Sequence, residues 1–137
     1  MTLVSDIMTP GARCIGENDS LHVAASVMAE LDVGSLPICG EDSRLKGMLT
    51  DRDIVVKAVA RGMDPETTRA GVLAEGKPVT VTATDDIAIA LERMQEHQIR
   101  RLPVIDDHLL VGIVTQADIA RSLPATDTGE TVERISL

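Results

Sequence analysis

Two short patterns in this 137-residue chain have residue types and spacing suited to holding a small ligand. Thr50-Asp51-Arg52-Asp53 closes the run Gly47-Met48-Leu49, and Thr115-Gln116-Ala117-Asp118 closes Gly112-Ile113-Val114. Each reads as an apolar strand ending in Thr at a helix N-terminus, with Asp three residues inside. Unsatisfied backbone N–H groups and the helix dipole at such a start favour a phosphate, to which the Thr hydroxyl can donate. The Asp carboxylate can accept from the vicinal hydroxyls of a ribose. The same Thr-x-x-Asp spacing also makes a capping box, in which the two side chains satisfy the helix's own orphan N–H groups. Recurrence does not separate these readings, because a duplicated cap is still a cap. The glycine before each apolar pair would let a ligand or a partner backbone approach closely.

The elements that position these patterns come twice, because the chain repeats itself. Leu36-Pro37-Ile38 returns 66 residues later as Leu102-Pro103-Val104, with Asp19, Ala24, Met28 and Glu30 matched at the same offset by Asp85, Ala90, Met94 and Glu96. Beyond the polar stretch Gly40-Glu41-Asp42-Ser43 the offset falls to 65, as a turn can lose a residue cheaply. Each copy opens with a β-type run, Arg13-Cys14-Ile15 or Val79-Thr80-Val81. A helix follows, with Asp19-Ser20 or Thr84-Asp85 as N-cap candidates and apolar residues at helical spacing. Two β-runs and a second helix complete it, the first ending at Gly62 and the second before Pro124. The fold class is therefore α/β, two β-α-β-β-α repeats predicted to pack as a pseudo-twofold pair through their small sheets. Residues 4–64 form the first repeat, 72–124 the second, and 125–137 a polar tail.

Composition narrows the ligand classes. A net charge of −9 disfavours nucleic acid, whose phosphates attract clustered Lys and Arg. With no Phe, Tyr or Trp, the chain lacks the stacking platforms of single-strand readers, and a purine would have to lie between aliphatic groups. The apolar runs fall well short of the ~20 residues that span a bilayer. The start of the chain carries no basic residue before a long apolar run, so it is read as cytoplasmic. His22, His97 and His108 have no metal-ligand spacing, and no nucleophile–base pairing stands out, so neither a metal site nor catalysis is expected.

The segments LPIC…GMLTDRDIV and LPVI…GIVTQADIA resemble the cystathionine-β-synthase (CBS) domain family, whose tandem pairs are called Bateman modules. The likeness runs from about Val4 to Leu123. It implies a stand-alone regulatory module that binds an adenosine-containing ligand (AMP, ADP, ATP or S-adenosylmethionine), forms a homodimer and signals to an effector protein. By position it implies that Thr50, Asp53, Thr115 and Asp118 contact phosphate and ribose. Arg100 and Arg101 resemble a basic pair that reaches phosphates in AMP-binding members. They would serve equally as a solvated strand edge. Arg52 is a further phosphate candidate or a surface helix residue. Ile15, Pro37, Ile38, Val81, Pro103 and Val104 are candidate purine walls whose default role is core. A ligand-free interaction module is the alternative.

Cys14 and Cys39 fall on neighbouring strands of the first repeat, so their sulfurs would lie within bridging reach. A reducing cytoplasm favours two unpaired thiols instead. The second copy has Thr80 and Ile105 at these places, which would confine any redox feature to the first.

Overall fold

The computed structural model describes residues 1–74 and 76–123, so the expected tail and Pro124 lie outside the described residues. In chain order the elements are α1 (Val4–Ile7), β1 (Thr9–Pro10), β2 (Ile15–Gly16), α2 (Leu21–Leu31), β3 (Ser35–Cys39), β4 (Leu45–Thr50) and α3 (Asp51–Asp53). A π turn (Ile54–Ala58) and a 3-10 turn (Val59–Arg61) extend α3, and a separate 3-10 turn covers Ala70–Leu73. Then come β5 (Val81–Thr82), α4 (Ile87–His97), β6 (Arg101–Asp106), β7 (Leu109–Thr115) and α5 (Gln116–Ser122).

The described residues fall into two compact units, Arg13–Pro78 and Met1–Ala12 together with residues 79–123. Spatial units and sequence repeats are thus different partitions. Residues that precede the first repeat's β-α-β-β-α pattern pack with the second, and those that precede the second pack with the first.

In the Arg13–Pro78 unit the sheet order is β2-β3-β4. β2 runs parallel to β3, with Ile15 opposite Ile38, and β3 runs antiparallel to β4, with Leu36 opposite Leu49. A parallel neighbour needs a crossover, which α2 supplies. Its apolar stripe of Leu21, Ala24, Val27 and Met28 is buried in a core with Ile15, Leu36, Ile38, Leu49, Ile54 and Ala58. Ala70 and Leu73 close this core, at 0% and 4% exposure. The helix after β4 stops at Gly62, whose φ of +75° suits a residue without Cβ.

The other unit repeats this plan and adds a strand, giving β1-β7-β6-β5. β5 is parallel to β6, with Val81 opposite Val104, and α4 makes the crossover. β1 pairs antiparallel with β7, Thr9 opposite Ile113 and Pro10 opposite Gly112. Val4 of α1 is wholly buried with Val81, Ala90, Met94, Leu102, Val104, Val114 and Ile119.

Helix caps follow the repeat with one correction. Ser20 accepts from the Val23 N–H at 3.1 Å, as expected. In the second copy the N-cap is Asp86, not Thr84 or Asp85, and it accepts from the Ala88 N–H at 2.9 Å. Asp85 instead accepts from the Thr82 N–H at 2.9 Å in the turn before the helix. The opening strands also begin later than predicted, at Ile15 and Val81, because only these residues and their successors pair with β3 and β6.

Candidate functional site

Both signature patterns form complete capping boxes. Thr50 Oγ1 accepts from the Asp53 N–H at 3.0 Å, and Asp53 Oδ2 accepts from the Thr50 N–H at 3.0 Å. In the second copy Thr115 Oγ1 accepts from the Asp118 N–H at 3.1 Å, and Asp118 Oδ2 accepts from the Thr115 N–H at 2.9 Å. Each remaining carboxylate oxygen faces a cation one helical turn on, Asp53 Oδ1 with Lys57 Nζ at 3.2 Å and Asp118 Oδ1 with the Arg121 guanidinium. Sequence reading missed these two cations, which stand at i,i+4 and i,i+3 from the carboxylates, a spacing that permits a pair without requiring it.

Burial pushes the Asp53 carboxyl up, but hydrogen bonds from Thr50 and the ammonium of Lys57 outweigh it and hold the group below the ordinary carboxylate value. Asp118 is only 5% exposed and is covered by the far more exposed Arg121. A ribose diol would therefore reach either carboxylate only by sharing it with, or displacing, the neighbouring cation.

Arg100 and Arg101 stand beside Thr115. Arg101 is its cross-strand partner, and the Gln116 N–H donates to the Arg100 carbonyl at 2.7 Å. Together with Gln116, Ala117 and Ala120 these residues line an open recess of about 310 Å³. The first copy has a counterpart of about 340 Å³ at the start of the equivalent helix, lined by Asp51, Arg52, Val55 and Val56. There the Asp51 N–H donates to the Gly34 carbonyl at 2.9 Å, the same backbone tie without the basic pair. Thr50, Asp53 and Asp118 line neither recess.

The candidate purine walls are packing residues. Ile15 and Ile38 belong to one core, Val81 and Val104 to the other, and Pro37 and Pro103 are buried beside them on β3 and β6. The signature glycines serve a close approach by the chain's own residues. A Cβ on Gly112 would lie 2.7 Å from the Thr9 carbonyl oxygen and from Met8 Sδ, and one on Gly47 would lie 2.9 Å from Ala74 Cβ.

Cys14 and Cys39 are joined in a disulfide, with their Cα atoms 5.8 Å apart, which corrects the expectation of two unpaired thiols. Cys14 directly precedes β2 and Cys39 ends β3, and the spacing falls inside the range a disulfide spans. Among the described residues, no group of three or more His, Cys, Asp or Glu side chains is gathered to hold a metal ion. No helix among them is long and apolar enough to cross a membrane.

A profile of the CBS domain matches residues 4–59 and 73–125. Hypoxic response protein 1 of Mycobacterium tuberculosis is 56% identical over 124 residues, covering 90% of this chain and 87% of that protein. The crystal structure of Hypoxic Response Protein I with two coordinated zinc ions superposes with a TM-score of 0.84 at 56% identity, over 90% of this chain and 100% of that one. The CBS-domain pair of protein MJ0100, in complex with 5′-methylthioadenosine and S-adenosyl-L-methionine, gives a TM-score of 0.76 at 29% identity, over 89% and 95%. The CBS-domain protein PAE2072 of Pyrobaculum aerophilum, complexed with AMP, gives 0.80 at 25%, over 94% and 99%.

Proposed function

Because the chain belongs to the CBS-domain family, we propose that it is a regulatory module binding an adenosine-containing ligand of the AMP, ADP, ATP or S-adenosylmethionine type. Binding would shift its conformation and be read by a separate effector protein, which linkage requires to prefer one state. The observation that carries this reading is the recess where Arg100, Arg101 and Thr115 stand together. Two guanidinium groups suit bidentate contact with a phosphate. The AMP complex of PAE2072 and the S-adenosylmethionine complex of MJ0100, both similar to this chain, support the ligand class.

Asp118, which does not line the recess, would read the ribose of a ligand held there only once Arg121 shares or gives up its carboxylate. In the first copy Thr50, Asp53 and Arg52 are the corresponding groups, and the weaker positive charge suits an adenosine without phosphates. Pro37, Ile38, Pro103 and Val104 would supply aliphatic contacts to the purine after a shift that uncovers them. On this reading the chain is a cytoplasmic binding protein rather than an enzyme. Exposed Val55 and Val59, at 58% and 57%, support a homodimer.

The missing aromatics provide a sensitive test, since a co-purified purine would dominate the near-ultraviolet absorbance of this protein. Calorimetry with AMP should give heat that the Arg100→Ala/Arg101→Ala double variant loses, with affinity falling by about tenfold or more. Protein that stays transparent and gives no heat with adenine nucleotides or S-adenosylmethionine refutes the reading. One observation favours the alternative of a ligand-free interaction module: every signature Thr and Asp already has its partners within the caps. Asp53→Ala and Asp118→Ala variants that bind nucleotide as tightly as wild type would show that the signature serves as a cap and not as a ligand contact. Absence of binding by the wild type is what would support the alternative.

A further inference from the structure

The two copies anchor the start of their first strand in different ways. In the second copy the Arg93 guanidinium donates to the Thr80 carbonyl, immediately before β5, and lies 3.8 Å from Asp85. In the first copy Val27 occupies the place of Arg93, and Cys14 occupies the place of Thr80. There the anchor is the disulfide from Cys14 to Cys39, the last residue of β3. The backbone bonds beyond the anchors are alike. The Glu17 N–H donates to the Cys39 carbonyl at 2.9 Å, and the Ala83 N–H donates to the Ile105 carbonyl at 3.0 Å. One anchor is insensitive to redox conditions and the other is not.

Position gives this difference its consequence. β2 and β5 are only two residues long, so each depends on its anchor more than a long strand would. Cys14 lies next to the point, between Ala12 and Arg13, where the chain passes from one unit to the other. Cys14 is half-buried and Cys39 is 7% exposed, so an incoming thiolate meets the Cys14 sulfur first.

We propose that the Cys14–Cys39 disulfide is a redox switch on the first repeat: a dithiol reductant opens it and releases β2, while Arg93 keeps β5 in place. This goes beyond the nucleotide reading and does not depend on it. The thiolate of the reductant attacks Cys14 Sγ, and the S–S bond breaks as Cys39 leaves as a thiolate and takes a proton. The second thiol of the reductant then attacks the mixed disulfide and releases Cys14 as a thiol. Two electrons and two protons pass to the cysteine pair, and the reductant becomes a disulfide.

The test is hydrogen exchange on the full chain, oxidised or treated with dithiothreitol, with thiols counted by alkylation before unfolding. Reduction should expose two alkylatable thiols and speed exchange at Glu17 by about tenfold or more while Ala83 keeps its protection. The Cys14→Ser/Cys39→Ser variant should match the reduced protein and ignore dithiothreitol. Arg93→Met should give the mirror result, with Ala83 loosened in both redox states and Glu17 only on reduction. Equal exchange at Glu17 in both states would overturn the proposal. So would a disulfide that native protein does not yield to dithiothreitol, or a reduction that unfolds both units together. Nucleotide calorimetry in parallel keeps failure of the ligand reading separate, since the exchange result stands without any ligand.

Discussion

Replacing Gly112 by Ala distinguishes a glycine kept for a ligand from one kept for the fold. The new methyl would sit 2.7 Å from the Thr9 carbonyl oxygen, where ordinary contact begins near 3.4 Å. Relief requires β1 to retreat by about 0.7 Å or Gly112 to shift within β7, an overpacking change that costs roughly 1–3 kcal/mol. Met8 Sδ, equally close, is the tip of a flexible side chain and can move aside, so the backbone oxygen sets the cost. β1 has little with which to resist, having only Thr9 and Pro10 paired and the Gly11 N–H on the Val111 carbonyl at 3.1 Å. At about 4 °C per kcal/mol for a chain of this size, the melting temperature should fall by roughly 4–12 °C in ligand-free protein. Calorimetric melting gives the number, and exchange at Gly11 should rise with it. An unchanged melting temperature together with weakened nucleotide binding would refute the packing argument and return Gly112 to the ligand.

Other consequences follow from the caps, the ion pairs and the disulfide. Thr50→Val and Thr115→Val should each lower stability by about 1 kcal/mol in urea unfolding without any ligand, since each removes a cap acceptor. Asp53 is held below its ordinary value of 3.8, so its contribution is complete above that value and is lost as pH falls through the folded-state pKa. Asp53→Asn should therefore destabilise the protein at neutral pH, with the difference from wild type narrowing below pH 3.8. Equal differences at neutral and acid pH would show that charge is irrelevant there. Cys14→Ser/Cys39→Ser opens a cross-link 25 residues apart, and loop-closure entropy puts the loss near 3.5 kcal/mol. A denaturant midpoint equal to that of the oxidised wild type would contradict this.

The parts legible in the sequence were those in which one periodicity and one cap governed a segment. The stripe of Leu21, Ala24 and Met28, the strands around Leu36-Pro37 and Leu102-Pro103, and the signature helices follow from local pattern. What escaped depends on segments meeting across long separations. Nothing local to Thr9 and Pro10 marks them as a strand, because their partner is more than a hundred residues away at Gly112 and Ile113. Ala70 falls between the two predicted repeats and Leu73 at the start of the second, yet both complete the core of the first. At the candidate site, the family resemblance pointed to Arg100 and Arg101, and the β6–β7 register sets Arg101 opposite Thr115. It did not reveal that Asp53 and Asp118 are already engaged by Lys57 and Arg121, since a carboxylate one turn from a cation has the same spacing whether or not the two meet.

The exchange of opening segments makes the pair, and not the repeat, the smallest heritable piece. A gene cut at a repeat boundary would part Val4 and β1 from the core they close, and Ala70 and Leu73 from theirs. A lone copy could finish itself only by trading openings with a twin, as a swapped dimer does. Fusion of two such chains would leave the arrangement seen here, an intermolecular trade made permanent within one polypeptide. Mutation is then free to specialise one half while the other keeps it closed.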